Sequence, residues 1–132
     1  AGAAAKLVAN VTLIGTLGIL GEALALAERL GLSRDATFDV VAATPLGAQS
    51  QRRRSAIETG EYPLRFRLSL ARKDADLIAE AATASGADLR LGSAARAWFI
   101  EADEAGWGNK DYSSVLAWIL GGRPSAGKSP SV

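Results

Sequence analysis

The sequence predicts an all-α fold: a multi-helix domain built on one long N-terminal helix. Three observations carry that expectation. Residues 3–30 contain no Pro and are rich in Ala, Leu and Glu, a composition that favours helix over the whole stretch. Gly31, Gly60 and Gly86 then stand where helical periodicity stops, as glycines after a helix C-terminus do. Strand-like alternation occurs once, in Leu64, Phe66 and Leu68 with Arg65 and Arg67 between them, and a lone strand would have no partner.

Taken in order, the long helix carries Gly15, Gly18 and Gly21, each costing about 1 kcal/mol relative to Ala. Their spacing puts them near one stripe where another backbone can approach, either inside the domain or across a dimer. After Gly31, Ser33 or Asp35 caps a short helix over 35–43, stopped before Pro45 because the residue preceding Pro is pushed out of α space. Residues 46–59 read as a polar helix ending at Gly60. Pro63 makes the next stretch a connecting segment, running into a helix over about 68–85. A fifth helix, 91–105, presents Ala94, Ala95, Trp98, Phe99 and Ala102 as its apolar face. "GWGNKD" is a turn, Asp111 caps a last helix through Leu120, and the Gly/Ser/Pro-rich residues 121–132 read as a flexible tail.

With 132 residues the chain is one domain's worth, 1–120 before the tail. A net charge of +1 with scattered basic residues predicts no nucleic-acid partner. No Cys and no His are present, so no metal site is expected, and acid–base chemistry falls to Lys, a carboxylate or Tyr. The absence of Met predicts that the chain is a piece of something longer. The most apolar run, Val11 to Gly21, is shorter than the about 20 residues a membrane span needs, so a cytoplasmic packing helix is expected rather than an anchor.

Lys6 and Asn10 are four apart and share a helix face. A cation at a helix start opposes the helix dipole, and beside an apolar wall its ammonium would become a usable proton donor or acceptor. Lys73 and Asp74 in "LARKDADLIAEAA" form a second polar pair, with Asp76 and the neighbours of Arg72 as available salt-bridge partners. Arg52, Arg53 and Arg54 spread around their helix, mostly solvated, with one able to reach a phosphate or carboxylate. Trp107, Asp111 and Ser113 either line a pocket or belong to a capping turn.

In combination, "GAAAKLVANVTLIGTLGILGEALALAERLGL", "FRLSLARKDADLIAEAA" and "AGWGNKDYSSV" resemble, in order and spacing, the C-terminal helical domain of the β-hydroxyacid dehydrogenases. That is the family of 3-hydroxyisobutyrate dehydrogenase, whose C-terminal domain is of the 6-phosphogluconate dehydrogenase-like type. Gly2, Lys6 and Asn10 match the family's Gly-x-Gly-x-x-x-Lys-x-x-Asn-Asn run, with the first Gly falling before Ala1 and Val11 in place of the second Asn. The resemblance implies that Lys6 is the catalytic proton donor or acceptor, and that Asn10, Gly2 and Phe66 belong to the substrate site. It further implies that Lys73 and Asp74 lie at the cofactor, and that Asp111 and Ser113 are mainly structural.

The cofactor so implied is NAD or NADP, bound mainly by an N-terminal domain. No Gly-x-Gly-x-x-Gly after a strand and no βαβ pattern occurs here, so that dinucleotide-binding domain is absent from this chain. The implied partners are a small hydroxy acid or semialdehyde, the dinucleotide-binding domain and further copies in a homodimer or higher homo-oligomer. The isolated chain is expected to be inactive. An imine reductase-like domain is a second reading, against which Lys6 argues, since those proteins typically place Asp or Tyr there; a non-catalytic helical dimerisation module is a third.

Overall fold

The first helix, α1, runs Gly2–Arg29, and its buried positions begin only at Ile14. From there Ile14, Leu17, Leu20, Leu24 and Ala27 fall three or four apart, the spacing of one helix face, and form the spine of the core. Leu7 and Val11 pack partly against the same cluster, while Lys6 and its neighbours on either side of that contact stand exposed. The structure, a computed structural model, describes residues 2–124; the proposed tail beyond Pro124 lies outside the described residues.

Helices α4 (Leu68–Ser85), α5 (Arg90–Ala102) and α6 (Val115–Ile119) pack on α1, enclosing Leu68, Ala75, Phe99, Val115 and Leu116. The shorter α2 (Arg34–Ala42) and α3 (Gly47–Thr59) pair with each other on the flank, where α2 contributes Phe38 to the core. Ser33 is the α2 N-cap, accepting from the Ala36 amide at 3.1 Å, and the helix stops before Pro45 as expected. By length and apolar composition α1 would pass as a membrane span; α4, α5 and α6 cover one face of it, while Val8, Ile19 and Leu26 stay exposed.

Of the glycine stripe, only Gly21 is a forced close approach: a Cβ there would lie 2.6 Å from Ile119 Cδ1 on α6. A Cβ on Gly18 would make ordinary contact with Ala95, and one on Gly15 would meet nothing within 4 Å. The tight contact is therefore made inside the domain.

Two expectations need correction. The fifth helix ends at Ala102, not 105, because Asp103–Trp107 form a wide π-turn in which Gly106 takes a φ of +105°. Glycine adopts that left-handed angle without a Cβ clash, and the widened turn buries Trp107. Arg72 on α4 holds the turn in place by pairing with Asp103 at 3.1 Å and Glu104 at 3.8 Å. Ala94, placed on the apolar face by periodicity, is exposed; Ala95, Phe99 and Ala102 carry the burial.

The connecting segment also has a partner after all. Arg67 forms an isolated antiparallel bridge with Asp111, and Tyr112 N–H donates to the Phe66 carbonyl at 2.7 Å. Leu68 N–H donates to the Lys110 carbonyl and Ser69 N–H to that of Gly108, so the "GWGNKD" loop satisfies the first amides of α4.

Candidate active-site face

Lys6 and Asn10 stand one turn apart on the projecting end of α1, Lys6 exposed and Asn10 half-buried. Neither makes a hydrogen bond or ion pair with another described residue. Gly2 lies one turn before Lys6, exposed, with open space where a Cβ would be. An ammonium and an amide thus face outward together with their donors uncommitted. The apolar wall that would desolvate Lys6 is not contributed by the described residues.

On α4 the charged residues sort themselves by face. Arg72 is drawn to the π-turn and Asp76 pairs with Arg96 of α5 at 2.8 Å. Lys73 and Asp74, between them, pair with nothing among the described residues, contrary to the salt bridge that the spacing offered to Lys73 and Asp76. They share the outer face with Leu70 and Leu77, 46% and 44% exposed, at the i, i+3, i+4, i+7 positions of one stripe. Phe66, in the segment just before the helix, is 39% exposed. The stripe is an uncommitted acid–base pair bracketed by apolar side chains. Helices α1 and α4 pack directly, yet no hydrogen bond joins Lys6 or Asn10 to Lys73 or Asp74 among the described residues.

Phe66 is held from behind. The buried Asp111 carboxylate accepts from the backbone amides of Arg65 at 2.9 Å, Phe66 at 3.1 Å and Ser113 at 3.1 Å, and from the Ser113 hydroxyl. Burial pushes its pKa up, but those four donors outweigh burial and hold it below its ordinary value. Asp111 and Ser113 are thus anchors of the 65–66 backbone, and the pocket residue of that trio is Trp107 alone.

The Phe66 ring meets Tyr112 edge-on, centroids 6.0 Å apart. The Tyr112 hydroxyl accepts from Arg53 Nη2 at 2.9 Å, and the Arg53 guanidinium lies 5.4 Å from the Tyr112 ring centre. Sequence reasoning missed Arg53: it is buried, 7% exposed, and its other partner is Gln49. The one local signal is Ile57, a turn further on and the helix's only large apolar residue, which shares Arg53's buried face; the Tyr112 partner is 59 residues away. Of the other two arginines, Arg54 reaches carboxylates of the chain itself, Asp35 at 2.8 Å and Glu58 at 2.9 Å, and lies over the Phe38 ring; Arg52 is exposed. Among the described residues no group of three or more acidic residues gathers as a metal site would require.

The family profile described as "NAD-binding of NADP-dependent 3-hydroxyisobutyrate dehydrogenase" matches residues 1–119. The chain belongs to the β-hydroxyacid dehydrogenase family. This is a family of NAD(P)-dependent oxidoreductases, and the all-α architecture is the one its solved members share over this region. The 3-hydroxyisobutyrate dehydrogenase of Salmonella typhimurium superposes with a TM-score of 0.75 at 31% identity, covering 89% of this chain and 42% of that one. That of Mycobacterium tuberculosis, described with L-serine, gives 0.75 at 30% identity, over 90% of this chain and 43% of that one.

Among curated proteins, the L-threonate dehydrogenase of Escherichia coli is 34% identical over 101 residues, 76% of this chain and 33% of its own length. The 3-sulfolactaldehyde reductase of Escherichia coli is 29% identical over 129 residues, 96% of this chain and 42% of its own length. This β-hydroxyacid dehydrogenase chain therefore spans about a third to two fifths of the length of those relatives.

Proposed function

We propose that the chain is the substrate-side and dimerisation domain of an NAD(P)-dependent β-hydroxyacid dehydrogenase that interconverts a small 3-hydroxy acid and its semialdehyde. The observation that carries this reading is the Lys6–Asn10 pair, uncommitted within the chain, on the end of α1 that projects beyond the core. A bound nicotinamide supplies the hydride chemistry. Lys6 gives a proton to the substrate oxygen as the carbonyl is reduced and takes it back on oxidation, and Asn10 hydrogen-bonds that oxygen from the same face. Gly2 leaves room for close approach of substrate.

The cofactor fits Lys73 and Asp74 because both are uncommitted: an ammonium can donate to a ribose hydroxyl or phosphate, and a carboxylate can accept from a hydroxyl. Phe66, exposed just before α4, lines the substrate side of the site. A dinucleotide-binding domain seated over these faces provides the apolar wall that the Lys6 ammonium lacks here, and with it the desolvation that eases proton transfer.

The test is Lys6→Ala in the full-length parent enzyme. General acid–base catalysis contributes roughly 10²–10⁴-fold, so kcat should fall by about that factor with cofactor affinity and assembly intact. Retained turnover would remove Lys6 from the mechanism.

Self-association is supported by a different face. Leu26, Leu30 and Val40 are 60%, 69% and 59% exposed and border, with Ile19 and Leu32, an almost wholly apolar groove of about 480 Å³ between α1 and α2. An apolar surface of this kind fits burial against a second copy.

A further inference from the structure

Among the described residues Arg53 is the only buried cation, and it forms an ion pair with none of their carboxylates. Its Nη2 donates to the Tyr112 hydroxyl at 2.9 Å and its Nε to the Gln49 side-chain oxygen at 3.3 Å, both uncharged groups. Burying a charge without a counter-charge costs stability. An apolar side chain of similar length would fill the same place without that cost, so what Arg53 holds matters more than the space it occupies.

What it holds is Tyr112, and Tyr112 touches Phe66 twice. The Tyr112 N–H donates to the Phe66 carbonyl at 2.7 Å, and the two rings meet edge-on with their planes at 74°. The Asp111 carboxylate accepts from the Phe66 amide at 3.1 Å. The Phe66 backbone is thus bonded at both its amide and its carbonyl, which leaves the ring torsions as its remaining freedom. The Tyr112 ring stands against them in an edge-to-face contact, an arrangement with a preferred geometry.

We propose that Arg53 is a positioning residue for the reaction: by holding the Tyr112 hydroxyl it fixes the Tyr112 ring, and through that ring the orientation of Phe66 towards substrate. This role rests on the proposed place of Phe66 on the substrate side. Arg53 acts through the two rings and does not itself touch substrate. A guanidinium suits the task because it is planar and rigid. One N–H braces it on Gln49 of its own helix while another holds the hydroxyl. Its carbon lies 5.4 Å from the Tyr112 ring centre, within reach of a cation–π attraction to the ring itself.

The test is steady-state kinetics of Tyr112→Phe, Arg53→Gln and Phe66→Leu in the full-length parent, singly and combined. The substrate is the 3-hydroxy acid that the parent turns over fastest, from a series beginning with 3-hydroxypropionate. Tyr112→Phe removes one oxygen and keeps the ring, so it reports on the hold even where Arg53→Gln does not fold. Each of the two should lower kcat/KM for the hydroxy acid about tenfold and leave KM for the cofactor unchanged. In the Phe66→Leu background the same changes should cost less than about threefold, because the ring they orient is gone. A bracket that served the fold alone would lower the melting temperature and give the same proportional fall with or without the Phe66 ring; that pattern overturns the proposal. So does a kcat/KM within about twofold of the parent in Tyr112→Phe, or no effect of Phe66→Leu by itself. Lys6→Ala measured beside them separates the two readings. Loss of turnover there, with unchanged kinetics in Tyr112→Phe, overturns the role of Arg53 and leaves the proposed function standing. Retained turnover there, with the coupled fall intact, removes Lys6 from the mechanism and keeps Arg53.

Discussion

Asp111 joins segments 45 residues apart with one carboxylate. Locally it is the capping residue that "DYSS" suggests, accepting from Ser113. Its other role, receiving the Arg65 and Phe66 amides, depends on chain reversal and leaves no mark in the neighbouring sequence. Hydrogen bonds to a charged acceptor contribute roughly 1.5–3 kcal/mol each, so Asp111→Ala should lower stability by several kcal/mol. The pH dependence has a definite sign. Because the folded pKa is depressed, the carboxylate's contribution is complete above the unfolded value of 3.8 and is lost as pH falls through the folded one. Thermal melts of the native chain should therefore decline below about pH 4, while Asp111→Asn, less stable at neutral pH, should show a shallower decline over the same interval. Parallel melting curves for the two proteins would rule out Asp111 as the source. Arg53 is the counter-case among residues. Its helix carries one large apolar residue, Ile57, too little for periodicity to set Arg53 apart from its neighbours strongly, and a distant tyrosine receives the buried guanidinium.

At the scale of elements, helix existence and order were legible because composition, Pro placement and terminal glycines agree. Gly60 and Gly86 close α3 and α4 in left-handed conformation where they were expected to. The end of α5 was not legible: "EADEAGW" carries good helix formers, and the π-turn is set by Gly106 together with Arg72 reaching across from α4. The glycine stripe of α1 shows the same limit. Spacing made Gly15 and Gly21 equivalent, whereas tertiary contact separates them. Gly15→Ala fills open space and should gain about 1 kcal/mol from helix propensity alone. Gly21→Ala forces Ile119 aside, and overpacking of about 1–3 kcal/mol outweighs that gain. Urea unfolding of the two variants should thus move in opposite directions. Equal effects would mean that α6 does not press on α1 at Gly21.

At the scale of the molecule, the pairing of uncommitted polar groups with exposed leucines on α4 separates folding from function. Leu70 and Leu77 are outside the core, yet a solvent-facing helix stripe has no need of two leucines around a lysine and an aspartate. On the proposed function their use is to receive the dinucleotide-binding domain, so that Lys73 and Asp74 meet the cofactor where water is excluded. The double variant Leu70→Glu/Leu77→Glu should then leave the melting temperature of this chain nearly unchanged, since surface substitutions usually stay within about 0.5 kcal/mol. In the full-length parent the same pair removes two apolar anchors from an interdomain contact. A loss of about 2 kcal/mol there is a roughly thirtyfold fall in kcat/KM, with KM for the cofactor rising because the closed form is less populated. Unchanged turnover in the parent would detach this face from the active site. A large drop in stability of the chain alone would instead make it part of the fold.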